Sequence, residues 1–216
     1  MTDALAERRA LKDSVLEAAL MHAAFDGWSR RTLHHAAQDA GLDAPTARRL
    51  FPQGGDSLLA WLDDWADRRM VEALAGIDLL KLPVRRRIAL LIRTRLALLT
   101  PHREAVRRAV AAHGLPGNLA GTGRALWHTV DLMWRTAGLG GEPKEGFSYY
   151  SRRATLAGVL GTTLLYWLDD QSPDCAESWA FLDRRIEGVM QIGKMRSTLD
   201  GWLGWLGGRR TATAPR

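Results

Sequence analysis

Cysteine is almost missing from this chain: Cys175 is the only one in 216 residues. A single thiol excludes an intrachain disulfide and any metal site built from several cysteines, and it fits a reducing compartment. Long apolar runs are also lacking. The longest uncharged stretch, ATLAGVLGTTLLYWL at residues 154–168, falls short of the roughly 20 residues that span a bilayer. No stretch alternates apolar and polar residues with turn residues on both sides, so no strand is predicted. The start, MTDALAERRALKD, has no apolar core of the signal-peptide kind, and its acids argue against a transit peptide. Catalytic signatures are missing too. The histidines (His22, His34, His35, His102, His113, His128) form neither a His-Glu-x-x-His zinc pair nor a Glu-x-x-His di-iron pair. GVMQIGKM at residues 188–195 fails as a phosphate loop, because Met195 stands where Ser or Thr must reach magnesium. With no Gly-x-Ser-x-Gly elbow either, the expectation is no catalytic residue, no metal and no cofactor.

What is present points to one helical domain. Apolar residues make up 46% and charged residues 25%, ordinary values for a globular chain. The net charge of +6 comes mainly from arginine and suits an anionic partner. Nine tryptophans exceed what a core of this size needs; indoles favour places apolar on one side and wet on the other. Apolar spacing of i, i+3, i+4 and i+7 predicts helices at 4–24, 30–40, 45–51, 56–75, 84–99, 102–113, 116–137, 149–169, 174–193 and 196–206. Ser172-Pro173 reads as an N-cap with proline at the first helical position. GLGGEPKEGF at 138–147 reads as the clearest loop and TATAPR at 211–216 as a disordered tail. The predicted division is 1–75 as a helix-turn-helix-like region, 76–193 as a lipid-binding and dimerisation region, and 194–210 as an amphipathic helix.

Two local patterns carry alternatives. Lys81, Arg85, Arg86, Arg87, Arg93, Arg95, Arg103, Arg107 and Arg108 cluster in two adjacent helices with Glu104 as their only acid. They read either as a solvated outer face or as a surface for anionic lipid or a partner. Residues 32–62, with a turn at Gly41 and a short helix behind it, resemble the DNA-binding head of TetR-type repressors. There Thr46, Arg48 and Arg49 would meet DNA; the alternative is a compact way of packing three helices.

From Phe147 to Lys194 several motifs follow in order: Tyr149-Tyr150 then Arg152-Arg153, Thr162-Thr163, Asp170 with Ser172-Pro173-Asp174, Trp179 with Phe181-Leu182, and Gly193-Lys194. Together with DLMWRTAG at 131–138, this run resembles the accessory lipid-binding protein family of ubiquinone (coenzyme Q) biosynthesis. One departure is Tyr149, where family members often carry Trp. The resemblance implies an all-α, TetR-like fold without repressor activity, so no nucleic-acid partner, and a homodimer. It also implies an apolar pocket for an isoprenoid lipid or quinone precursor, a last helix on membrane phospholipid, and a quinone-ring hydroxylase as partner. On that basis the expected location is cytoplasmic, peripheral at the inner face of a bacterial cytoplasmic membrane. The runner-up is a TetR-type regulator with a hydrophobic effector.

Periodicity places residues on these expected surfaces. In the helix near 116–137, Leu119, Leu126, Val130, Met133 and Ala137 form one stripe, and Trp127, Asp131 and Trp134 a second face. In the next helix Leu156, Leu160, Thr163 and Trp167 share a face, flanked by Val159 and Tyr166. Ala157, Gly158, Gly161 and Thr162 leave volume there, for close helix packing or for a cavity. The expected lipid-binding set is Leu126, Val130, Met133, Leu156, Val159, Leu160, Thr163, Trp167, Trp179, Leu182 and Ile186. The expected partner-binding set is Asp131, Met133, Trp134, Tyr149 and Tyr150. Arg152 and Arg153, unfavourable at a helix start, are expected to pair with Asp169, Asp170 or Asp183. Last, Met195, Leu199, Trp202, Leu203 and Leu206 make one stripe with Trp205 at its margin and basic residues on either side. That pattern describes an interfacial helix, with Leu199, Trp202, Leu203, Trp205 and Leu206 as its membrane contacts; the alternative is a segment that folds back over the pocket.

Overall fold

The computed structural model describes residues 2–114, 119–141 and 147–191. Among these are eight complete helices: α1 (Thr2–Asp26), α2 (Arg30–Asp39), α3 (Ala44–Leu50), α4 (Gly55–Leu74), α5 (Val84–Leu99), α6 (Arg103–His113), α7 (Leu119–Thr136) and α8 (Phe147–Asp169). A further helix, α9, covers residues 176–191, and the described residues contain no strand. The helical reading holds, one helix short of ten; the predicted helix at 196–206 and the tail at 211–216 lie outside the described residues.

Local chemistry sets the helix starts. Ser29 accepts the Thr32 amide at 3.1 Å and Asp43 accepts the Thr46 amide at 2.8 Å, each satisfying a donor left open in the first turn of α2 and α3. Between those helices Gly41 takes φ +70°, a conformation L side chains resist. The α9 start corrects the sequence reading. Pro173 opens a 3-10 turn (Pro173–Cys175) rather than the α-helix, because Asp174 and Cys175 adopt positive φ. Ser172 does cap, accepting the Glu177 amide at 3.0 Å. Asp170 adds a second cap: it accepts the amides of Ser172 and Ser178, both at 2.8 Å, and both their hydroxyls. Four donors outweigh the burial that would push its carboxyl up, and hold it well below the usual carboxylate range.

The first three helices bury Leu16, Leu20, Leu33, Ala36 and Phe51 against Leu58 of α4. Trp28 joins this head to the rest by donating Nε1–H to the Ala105 carbonyl of α6 at 2.9 Å. Beside it α4 begins so close to the Trp28 backbone that a Cβ on Gly55 would lie 2.3 Å from the Trp28 oxygen. Further along, α4 packs on α5 and α7. Buried Arg95 donates to Asp67 at 2.8 Å and to Asp63 at 3.3 Å, and Thr129 of α7 donates to Asp67 at 2.8 Å. Leu91, Ile92, Leu96, Val130, Met133, Leu160, Trp167 and Leu182 continue the same core. Among the described residues no helix is long and apolar enough to cross a membrane.

Candidate functional site

The α7–α8 junction concentrates charge and aromatic rings. Arg153, almost wholly buried, donates from Nε to Asp131 at 3.0 Å and from Nη1 to the Tyr149 carbonyl at 3.3 Å. Its guanidinium lies 3.5 Å from the Tyr149 ring centroid and 5.6 Å from that of Trp134. Arg135 pairs with the same carboxylate. Burial works to raise the Asp131 carboxyl, but hydrogen bonds from Arg135 and Arg153 overcome it and hold it below its ordinary value. Outside this charged centre Tyr149 meets Tyr150 edge-on, ring centres 5.1 Å apart, and Tyr150 stacks on Trp127 at 5.8 Å. Tyr150 is more than half exposed. Beneath them the Trp134 indole N–H is buried with no acceptor among the described residues.

This overturns the expected pairing of Arg153. Asp131 is its partner, while Asp169 pairs with Arg107, Asp183 with Arg93, and Asp170 caps α9. The reason is length: residues 153 and 169 are 16 positions apart on one helix, about 24 Å at 1.5 Å per residue. The expected partner-facing residues Asp131, Trp134, Tyr149 and Tyr150 do come together, whereas Met133 points inward and is fully buried.

The expected lipid-binding residues are mostly core. Val130, Met133, Leu156, Val159, Leu160, Thr163, Trp167, Leu182 and Ile186 are all buried, and Leu126 and Trp179 are half-buried against them. Trp179 donates Nε1–H to the Asp174 carbonyl at 2.8 Å, and Arg103 lies 4.7 Å over the Trp167 ring. Of this set Ile186 also lines an open cleft of about 650 Å³ between α5 and α9. Another cleft, about 670 Å³, lies among α4, α6 and α7 beside Asp63, Asp67, His113 and His128. The glycines of α8 face outward while Ala157 packs on the core: Gly158 and Gly161 have nothing within 4 Å of a built Cβ, and Leu165 on that side is 55% exposed.

The basic cluster divides sharply. Arg87 donates to the carbonyls of Leu80, Leu82 and Ala137, at 2.9, 2.7 and 2.8 Å. Arg93 and Arg107 pair with acids, Arg103 donates to the Asp170 carbonyl, and Arg108 to the Ala24 carbonyl. These arginines act as fasteners between elements. Arg95 was legible as one of them, since it shares the apolar stripe of Ile88, Leu91, Ile92 and Leu99. Only Arg85 and Arg86 are exposed with no ion pair among the described residues. On α3, Arg48 and Arg49 are exposed and Arg49 donates to the Thr46 hydroxyl at 2.9 Å. The membrane contacts Leu199, Trp202, Leu203, Trp205 and Leu206 lie outside the described residues.

Comparison with known proteins places this geometry. The COQ9 family profile matches residues 119–193, the span of α7, α8 and α9. Ubiquinone biosynthesis protein COQ9, mitochondrial, is 31% identical over 189 residues in both Rattus norvegicus and Homo sapiens. The match covers 85% of this chain, and 60% and 58% of those proteins. The Drosophila melanogaster protein of the same name is 29% identical over 196 residues, covering 89% of this chain and 59% of its own. The chain thus spans about 60% of the length of these relatives. The crystal structure of the TetR transcriptional regulator from Nitrosomonas europaea ATCC 19718 superposes with a TM-score of 0.67. It is 21% identical and covers 82% of this chain and 97% of the regulator. The relatives' names correct one expectation: they are mitochondrial proteins, not proteins of a bacterial cytoplasmic membrane. A cellular address is read by receptors from a targeting segment, so the packing and composition of a helical domain do not encode it.

Proposed function

Since this chain is a TetR-like relative of the COQ9 ubiquinone biosynthesis proteins, we propose that it serves that pathway as a lipid-binding accessory protein rather than as a catalyst. It takes an isoprenoid quinone precursor and presents the ring to a quinone-ring hydroxylase, acting as a homodimer held at a membrane by residues 194–210. The observation that carries this reading is the Trp134 indole N–H, buried with no acceptor among the described residues, on a ring 5.6 Å from the Arg153 guanidinium of the Tyr149–Asp131–Arg153 cluster. A buried donor left unmade costs about 1–3 kcal/mol, and a ring carbonyl or phenol oxygen would satisfy it. The tail has a route along the outward stripe of Gly158, Gly161 and Leu165, where a side chain meets open space. Tyr150 and Trp127 supply a half-exposed aromatic edge of the kind that forms the centre of partner interfaces.

Native mass spectrometry of the purified protein with a short-tailed ubiquinone tests the reading. The expected result is a bound quinone whose occupancy falls in Trp134→Phe, which keeps an aromatic side chain but removes the donor. Protein that takes up no quinone or prenol at any concentration would refute it.

A further inference from the structure

We propose that the end of the molecule formed by residues 77–86 and the last turn of α9 is a second membrane-contact surface, complementary to an anionic phospholipid bilayer. The inference rests on the membrane attachment proposed above and adds a surface separate from residues 194–210. Ile77, Leu80, Val84 and Met190 are exposed apolar side chains, Leu80 the most so at 65%. Lys81, Arg85 and Arg86 stand between them in sequence and are exposed as well. Arg85, Arg86 and Met190 line the same cleft between α5 and α9, so the two elements share one end of the bundle.

Three observations set this end apart from an ordinary solvated face. Every other cation of the basic cluster is spent on a partner within the chain, whereas Arg85 and Arg86 make no ion pair among the described residues. The apolar knob is held rather than loose: Arg87 fastens the Leu80 and Leu82 carbonyls to the end of α7. The acids nearby are mostly neutralised, Asp78 by Lys81 and Asp183 by Arg93, leaving Glu187 as the unpaired carboxylate of the cleft among the described residues. Exposed leucine-type side chains beside cations fit the boundary between acyl chains and headgroups, where each Lys or Arg gains about 1 kcal/mol from an anionic surface.

The test uses the full chain with vesicles of phosphatidylcholine, with or without about 30 mol% phosphatidylserine, at low ionic strength. Arg85→Gln with Arg86→Gln is expected to weaken binding to the anionic vesicles roughly 30-fold, and to leave binding to neutral vesicles and the thermal melt unchanged. A fluorophore on Leu80→Cys, in a Cys175→Ser background, is expected to be quenched by nitroxide-labelled acyl chains; one on Leu5→Cys of α1 is not. An unquenched label at position 80 on vesicle-bound protein, or a double variant that binds within twofold of the parent, overturns the proposal. If only deletion of residues 196–210 releases the protein, the attachment through the last segment stands and this second surface falls. If the parent binds neither vesicle, both fall.

Discussion

Two carboxylates carry opposite lessons about single residues. Asp131 holds a buried guanidinium, so removing either partner is not symmetrical. Asp131→Ala strands Arg153 in the interior and is expected to cost about 3–5 kcal/mol. Arg153→Met leaves Asp131 half-buried and still paired with Arg135, so a smaller loss is expected; urea unfolding of both variants gives the comparison. Asp170 works through backbone capping. Each of its oxygens accepts one amide and one hydroxyl, so Asp170→Asn turns an NH2 donor towards donors and should lower the melting temperature nearly as much as Asp170→Ala. Both carboxyls are depressed in the folded protein. Above the unfolded value near 4 their contribution is therefore fully present, and it is lost as pH falls below that value towards the folded ones. Below it the unfolded chain binds more protons, so acid favours unfolding. A melting curve taken from pH 6 down to about 2 should fall steeply in the parent and more gently in Asp170→Ala.

Elements meet in this protein by two kinds of contact, tight backbone approach and arginine fastening. The start of α4 belongs to the first kind. Gly55→Ala drives a methyl group against the Trp28 carbonyl, and a loss of about 1–3 kcal/mol or more follows from overpacking against backbone. Gly158→Ala is the counter-case. Its Cβ meets open space, so the isolated protein should gain up to about 1 kcal/mol from helix propensity. If the quinone tail lies along that stripe, the same substitution weakens quinone uptake, and calorimetry with and without ligand separates the two effects. The second kind centres on Arg95, which links α5 to Asp63 and Asp67 of α4 and, through Asp67, to Thr129 of α7. Arg95→Leu would leave two aspartates facing an apolar side chain, and a loss of about 3–5 kcal/mol is expected by denaturant titration.

For the whole molecule the question is how a TetR-like fold, with no membrane-spanning helix among its described residues, would carry out the lipid-binding role proposed above. The attachment proposed here is interfacial and additive, because one short amphipathic helix gives only modest, reversible binding. Liposome flotation of the full chain is expected to weaken by at least tenfold when residues 196–210 are deleted; unchanged flotation would remove that segment from the account. Dimerisation would double every membrane contact and raise avidity through effective concentration. Sedimentation equilibrium at micromolar concentration gives the oligomeric state directly.

The amino-acid order by itself determined the helical class, the helix boundaries to within a few residues, and which stripes of α7 and α8 are apolar, because period and capping are local properties. It also sufficed for the family resemblance, since the motifs between residues 131 and 194 fall almost wholly within residues 119–193, the span the COQ9 profile matches. What only the tertiary structure decided is the use of those stripes. Leu156, Leu160 and Trp167 are as apolar as any lipid-lining set, and periodicity cannot tell a wall of a cavity from the interior of a core. That distinction depends on what stands opposite, which is α7 and α9. The same holds for charge: the apolar stripe of α5 marks Arg95 for the interior, but only the tertiary structure shows that Asp67 and Asp63 receive it there, while Arg86 faces outward.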